Sequence, residues 1–94
     1  MDVPMSTIAM FLKIERERVA EGLREAQSQL NGSGEAVLDF ASVSRLCPKD
    51  LASLEALAML AGEHGVKIEL RGVNVGIYKV LKLARLASRF NFRA

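Results

Sequence analysis

Val66-Lys67-Ile68-Glu69-Leu70-Arg71-Gly72-Val73 is the stretch whose reading decides the fold. Val66, Ile68 and Leu70 alternate with Lys67, Glu69 and Arg71, which is the period of a strand with one buried face. Upstream, residues 50–65 (DLASLEALAMLAGEHG) place Leu51, Leu54, Leu57, Ala58 and Ala61 at helical spacing, with Gly62 and Gly65 bracketing the end. Pro48 suits the first turn of that helix, where its missing N–H has no partner to lose. Downstream, Asn74 is a candidate N-cap. Ile77, Val80, Leu81, Ala84 and Ala87 or Ser88 then stripe a final helix, and residues 90–92 read as a last short strand.

The same logic extends toward the N-terminus. Residues 35–40 (EAVLDF) read as a strand, joined by residues 41–47 to the helix that follows. Residues 15–30 carry Val19, Leu23, Ala26 and Leu30 at spacings of 4, 3 and 4, one stripe of a helix. Asn31-Gly32-Ser33-Gly34 should stop it, since Asn and Gly adopt the left-handed conformation that ends helices. Residues 5–14 (MSTIAMFLKI) are short, apolar and β-branched at Thr7 and Ile8, which favours a buried strand. The order β-α-β-α-β-α, with a terminal strand, predicts an α/β domain. Its small mixed sheet contains parallel crossovers and carries its helices mainly on one face.

Length and composition bound the function. Ninety-four residues make one domain, spanning residues 1–94. No run of 18 apolar residues exists to span a membrane. The start, Met1-Asp2-Val3-Pro4, lacks the basic region of a secretory signal. One cysteine and one histidine exclude an intramolecular disulfide, a Cys-based zinc cage and most nucleophilic triads. A cytoplasmic setting is the simplest expectation. The net charge of +2 conceals a direction. Residues 1–40 carry four basic and seven acidic groups, residues 41–70 three and four, and residues 71–94 six basic groups and no acid.

Each candidate motif has a plainer reading beside it. Gly32-Ser33-Gly34 precedes a strand, whereas a phosphate-cradling loop follows one, so it reads as a turn. Glu15, Glu17, Glu21 and Glu25 read as a solvated helix face. Asp39 stands in an apolar strand, at the sheet edge where open α/β folds place their sites; alternatively its carboxylate is exposed or bonds the backbone. Cys47 precedes a helix start, which favours its thiolate, but no second catalytic group accompanies it in sequence. His64 reads as a helix-end residue. Lys79, Lys82, Arg85 and Arg89, spaced 3, 3 and 4 and extended by Arg93, form a basic stripe that suits phosphates or is simply a solvated face. Tyr78 is the one aromatic inside it, which gives base stacking little support.

Taken together, the segments resemble a STAS domain, the sulphate-transporter and anti-sigma-antagonist family. The resemblance rests on Val37-Leu38-Asp39-Phe40, Val43, then Leu51, Leu54, Ala56 and Leu57. It continues through Gly65, the strand Val66-Lys67-Ile68-Glu69-Leu70, Gly72-Val73, and Leu81, Leu83, Leu86 and Phe90. It runs without a gap over residues 47–90. In anti-sigma antagonists an Asp-Ser-Ser-Gly stretch at the helix start holds a regulatory phosphoserine; here those positions read Cys47-Pro48-Lys49-Asp50. Ser44 precedes the loop and Ser53 lies a turn inside the helix, so neither stands in the acceptor position. The family's N-terminal Gly-Glu-Leu-Asp signature is also missing.

What the resemblance implies is a non-catalytic adaptor or regulator without cofactor or metal. Its protein partner would be an anti-sigma, switch-kinase-like factor, docked through Asp39, Ser44, Cys47, Pro48, Lys49, Asp50 and Asn74. The alternatives are a cytoplasmic STAS subunit of a lipid-exporting ABC transporter, a small enzymatic or nucleotide-binding module using Asp39 and Cys47, and a nucleic-acid binder using the basic stripe.

Overall fold

The computed structural model describes residues 8–30 and 34–93, with side chains from residue 10 onward. The elements are β1 (Ile8–Lys13), α1 (Val19–Gln29), β2 (Gly34–Asp39), α2 (Pro48–His64), β3 (Val66–Arg71), α3 (Val75–Leu83), a short 3-10 turn (Ala87–Arg89) and β4 (Asn91–Arg93). Residues 5–7 of the expected first strand, and Asn31, Gly32 and Ser33 of the expected helix stop, lie outside the described residues.

Four strands form one sheet in the order β1-β2-β3-β4. A mixed sheet was the expectation; all three described pairings are parallel. The reason is that a helical segment separates every pair of neighbours, and a strand that returns through a crossover runs in its predecessor's direction. Because the order advances in one direction, crossovers of one hand leave the helices on one face. The core agrees with this. Leu23 and Ala26 of α1, Leu54, Leu57 and Ala61 of α2, and Ile77 and Leu81 of α3 join Met10, Ala36, Leu38, Ile68 and Leu70 in one cluster. Leu54 and Leu57 are fully buried, each worth about 1.5–3 kcal/mol relative to exposure.

The other sheet face carries no described helix. Its residues alternate with the core set, as period 2 requires. Phe11, Val37 and Glu69 form one row across it, and Lys13, Asp39, Arg71 and Arg93 the next. Val37 is buried on this face, outside the helix-side cluster.

Two helix boundaries differ from the sequence reading. The first helix begins at Val19, not at residue 15. Buried Ile14 donates its N–H to the Asp39 carbonyl at 2.9 Å, which holds the chain at the sheet edge. Residues 15–18 then make the reversing turn, with Arg18 N–H on the Glu15 carbonyl at 3.0 Å. The last helix ends at Leu83. Leu86 N–H bonds the Leu81 carbonyl (2.8 Å), Arg85 N–H bonds the Lys82 carbonyl (3.1 Å), and Arg85 takes a φ of 63°. This is a Schellman close with arginine where glycine is usual. It turns Leu86 and Phe90 into the core and leaves Ala84 exposed and Val80 partly exposed, both expected to be buried. It also breaks the expected basic stripe, because Arg85 and Arg89 lie beyond the helix that carries Lys79 and Lys82.

Gly72, just after β3, has a φ of 73°, and a Cβ there would lie 2.9 Å from the Ala41 Cα. Both the left-handed backbone and the close approach require glycine. Gly62, inside α2, has open space at the Cβ position. Gly72→Ala is therefore expected to lose about 2–4 kcal/mol. Gly62→Ala should gain about 0.5–1 kcal/mol from helix propensity. Paired urea melts check the opposite signs.

Candidate functional site

A parallel sheet sends every strand-to-helix loop out of the same edge. Here three loops emerge there: residues 14–18 after β1, 40–47 after β2 and 72–74 after β3. Backbone bonds extend the strand pairing into their bases. Phe40 N–H bonds the Arg71 carbonyl at 2.7 Å, and Gly72 N–H bonds the Arg93 carbonyl at 3.2 Å. Side chains then tie the loops to one another. Ser42 donates its hydroxyl to the Ile14 carbonyl at 3.3 Å, and Asn74 donates Nδ2 to the Ser44 carbonyl at 3.1 Å. The Asn74 Oδ1 also accepts from the Ile77 N–H at 2.8 Å, so one side chain caps α3 and anchors the central loop.

The central loop leads into α2. Cys47 is the N-cap residue and Pro48 the first helical position. Asp50 reaches back so that its Oδ2 accepts the Cys47 N–H at 3.0 Å, half of a capping box. That bond explains how Asp50 is buried without an ion-pair partner among the described residues. The Cys47 thiol is free and exposed.

The first two loops and the first turn of α2 border an open cleft of about 530 Å³ lined by Arg16, Ser44, Arg45, Leu46, Cys47 and Asp50. It continues toward the start of α1 as a second opening of about 330 Å³, where Lys49, Glu17 and Arg18 join the wall. On the other side of the Ser44–Asn74 bond is a smaller, mostly apolar notch of about 260 Å³, lined by Val73, Asn74, Val75, Tyr78, Phe92 and Arg93. Tyr78 and Phe92 meet edge to face there, with ring centroids 5.0 Å apart.

Of the candidate residues, Ser44, Cys47 and Asp50 line the main cleft, Lys49 lines its extension, Pro48 is exposed at the helix start, and Asn74 braces the loop behind. Asp39 is separate from the cleft lining; its Oδ1 accepts the Ala41 N–H at 2.9 Å and shapes the turn out of β2. Arg16, Arg45 and Leu46 were not singled out from sequence. The signal for Arg16 was present: the apolar helical stripe starts only at Val19, which leaves residues 15–18 to a loop at the sheet edge.

The basic C-terminal segment is partly consumed elsewhere. Arg71 and Arg93 both pair with Glu69 on the helix-free sheet face, Arg93 Nε at 3.3 Å. Arg71 also approaches the Phe11 ring, 5.9 Å from its centroid. The hydrogen bond from Arg71, helped by the charges of Arg93 and Arg71 and opposed by burial, holds the Glu69 carboxyl below its ordinary range.

No family model matches the chain, and no curated protein matches it in sequence. Among solved structures, a candidate anti-sigma factor antagonist from Thermotoga maritima superposes with a TM-score of 0.64 at 14% sequence identity. The match covers 89% of this chain and 72% of that one. This chain has a STAS-like fold. The expected single sheet with its helices on one face is therefore the architecture the described residues adopt, with parallel pairing where a mixed sheet was expected. Among the described residues no helix is long and apolar enough to cross a membrane.

The Glu69 pair gives a pH dependence with a definite sign. A carboxyl whose folded pKa is depressed contributes stability above its unfolded pKa, and that contribution is lost as pH falls through the folded value. Native protein should thus lose stability on acidification below the ordinary glutamate range, about pH 4.3. Glu69→Gln should be less stable at neutral pH and show a shallower acid loss. Thermal melts across the acid range check both.

Proposed function

We propose that the chain is a non-catalytic STAS-type adaptor that works by docking a protein partner at the start of α2. The observation that carries this reading is the convergence of the β1–α1 and β2–α2 loops on one cleft at the Cys47-Pro48-Lys49-Asp50 helix start, with Asn74 of the third loop bracing the central one, on a STAS-like fold. That is the position at which anti-sigma antagonists hold their phosphoacceptor. A partner of the anti-sigma, switch-kinase type fits the reading best, and a cytoplasmic location goes with such a partner. The rival enzymatic reading pairs Asp39 with Cys47. It is weakened because Asp39 turns its carboxylate to the Ala41 backbone while Cys47 faces the cleft.

The chemistry of the helix start also bears on regulation. A phosphoserine adds about −1.5 to −2 charges at a helix N-terminus and so alters docking. Pro48 has no hydroxyl, Lys49 brings a fixed positive charge, and Asp50 brings a fixed negative one that is already spent on the cap. In this reading the adaptor stays in one binding state.

The test uses the anti-sigma kinase encoded nearest to the gene. With ATP present, the two proteins should co-elute in size-exclusion chromatography, and the intact mass of this chain should not change. A variant with Pro48→Ser and Lys49→Ser should gain phosphate under the same conditions. Phosphate on any native serine from 42 to 53 contradicts the fixed-state reading, and failure to form a complex contradicts the kinase partner.

A further inference from the structure

The ion pairs among the described residues are Arg18 with Glu21, and Arg71 and Arg93 with Glu69. Arg16, Arg45 and Lys49 take part in none of them, although all three are exposed and border the same cleft and its extension. They come from three different places in the fold: the β1–α1 loop, the β2–α2 loop and the first turn of α2. Folding therefore brings together cations that sequence separates by up to 33 positions, and leaves them outside the ion pairs of the described residues.

The attraction does not come from the helix end itself. The Cys47 N–H is bound by Asp50, and the Asp50 and Leu51 N–H groups are bound by the Cys47 carbonyl at 2.9 and 3.1 Å. Asp50, the acid among the lining residues, is buried and turns one carboxylate oxygen to the Cys47 N–H. The main cleft is lined by the guanidinium groups of Arg16 and Arg45, and the Lys49 ammonium lines the extension, where Glu17 also stands and Glu21 is paired with Arg18. Guanidinium favours paired contacts with carboxylates.

Resting on the adaptor reading, we propose that the occupant of this cleft is an acidic segment of the partner protein, with Asp or Glu side chains held by Arg16, Arg45 and Lys49. The charge layout favours a protein over a nucleic acid. Glu15 and Glu17 stand beside Arg16, and Glu17 also walls the extension, so a continuous phosphate backbone running through both openings meets like charge, whereas a short carboxylate-bearing segment can end on Arg16 and Arg45 in the main cleft. No aromatic side chain lines the cleft for base stacking. The neighbouring Val73, Val75, Tyr78 and Phe92 notch lies one hydrogen bond away, across Asn74 and Ser44, and offers an apolar seat for an aliphatic residue of the same segment.

The experiment is fluorescence anisotropy with three labelled probes: a twelve-residue peptide of alternating Glu and Leu, its Gln-for-Glu counterpart, and a single-stranded oligonucleotide. Two double variants accompany the native chain, Arg16→Gln with Arg45→Gln, and Lys79→Gln with Lys82→Gln as a basic control away from the cleft. The acidic peptide should bind, more weakly as salt is raised, and should lose about tenfold affinity in the Arg16/Arg45 variant but not in the control. Melts of both variants verify folding. Equal loss in both variants, equal binding of the Gln peptide, or tighter binding of the oligonucleotide overturns the proposal. So does the absence of acidic-peptide binding. The two levels separate cleanly. A partner complex that forms and survives in the Arg16/Arg45 variant leaves the adaptor standing and removes the acidic occupant. A partner that binds neither protein removes the partner assignment, while the peptide result still decides the cleft.

Discussion

Parallel pairing between neighbouring strands is the constraint on which the rest of this molecule depends. A parallel pair cannot be closed by a tight hairpin, so each pair needs a crossover long enough for a helix. That requirement sends all three strand-to-helix loops to one edge, and the one-directional strand order keeps the helices in one layer. The backbone bonds Ile14 to Asp39, Phe40 to Arg71 and Gly72 to Arg93 carry the pairing one step past the strand ends. They fix the bases of the loops before any side chain acts. Gly72 is the tightest point in this scheme, because Ala41 from the next loop occupies the space where its side chain would be.

The core and the element order were legible in sequence because both rest on periodicity. Ile68 and Leu70 alternate with charge, and Leu54, Leu57 and Ala61 recur at helical spacing; each is buried where its period places it. What periodicity could not reveal is where a chain must turn. Val80, Leu81 and Ala84 continue a plausible stripe, but the need to bring Leu86 and Phe90 into the core ends the helix at Leu83 with Arg85 in a left-handed conformation. Val37 shows a related limit. It is buried as expected, but on the helix-free face beside Phe11 and Glu69, since strand neighbours point to opposite sides.

The candidate site was half legible. Cys47 and Asn74 were recognisable as helix-start residues because those signals are local, and Ser44 and Asp50 entered through the family resemblance. The late start of the apolar stripe at Val19 marked Arg16 as a loop residue, but its relevance and that of Arg45 arise only when separate loops are brought to one edge. The same topology explains why the strongly basic C-terminal segment is a poor guide to function. Glu69 holds two of its six cations on the opposite sheet face, and the helix break disperses others. In the proposed reading, the working charge lies in segments whose summed charge is negative. Position, and not net charge, distinguishes those residues.

The most direct test of this account is amide chemical-shift mapping of the isotopically labelled chain titrated with the acidic Glu-Leu peptide. The account predicts shifts concentrated at Arg16, Ser44, Arg45, Cys47, Asp50 and Asn74, with smaller effects reaching Tyr78 and Val75. Shifts centred on Phe11, Lys67 and Glu69 on the helix-free sheet face, or spread evenly over the surface lysines and arginines, would contradict it.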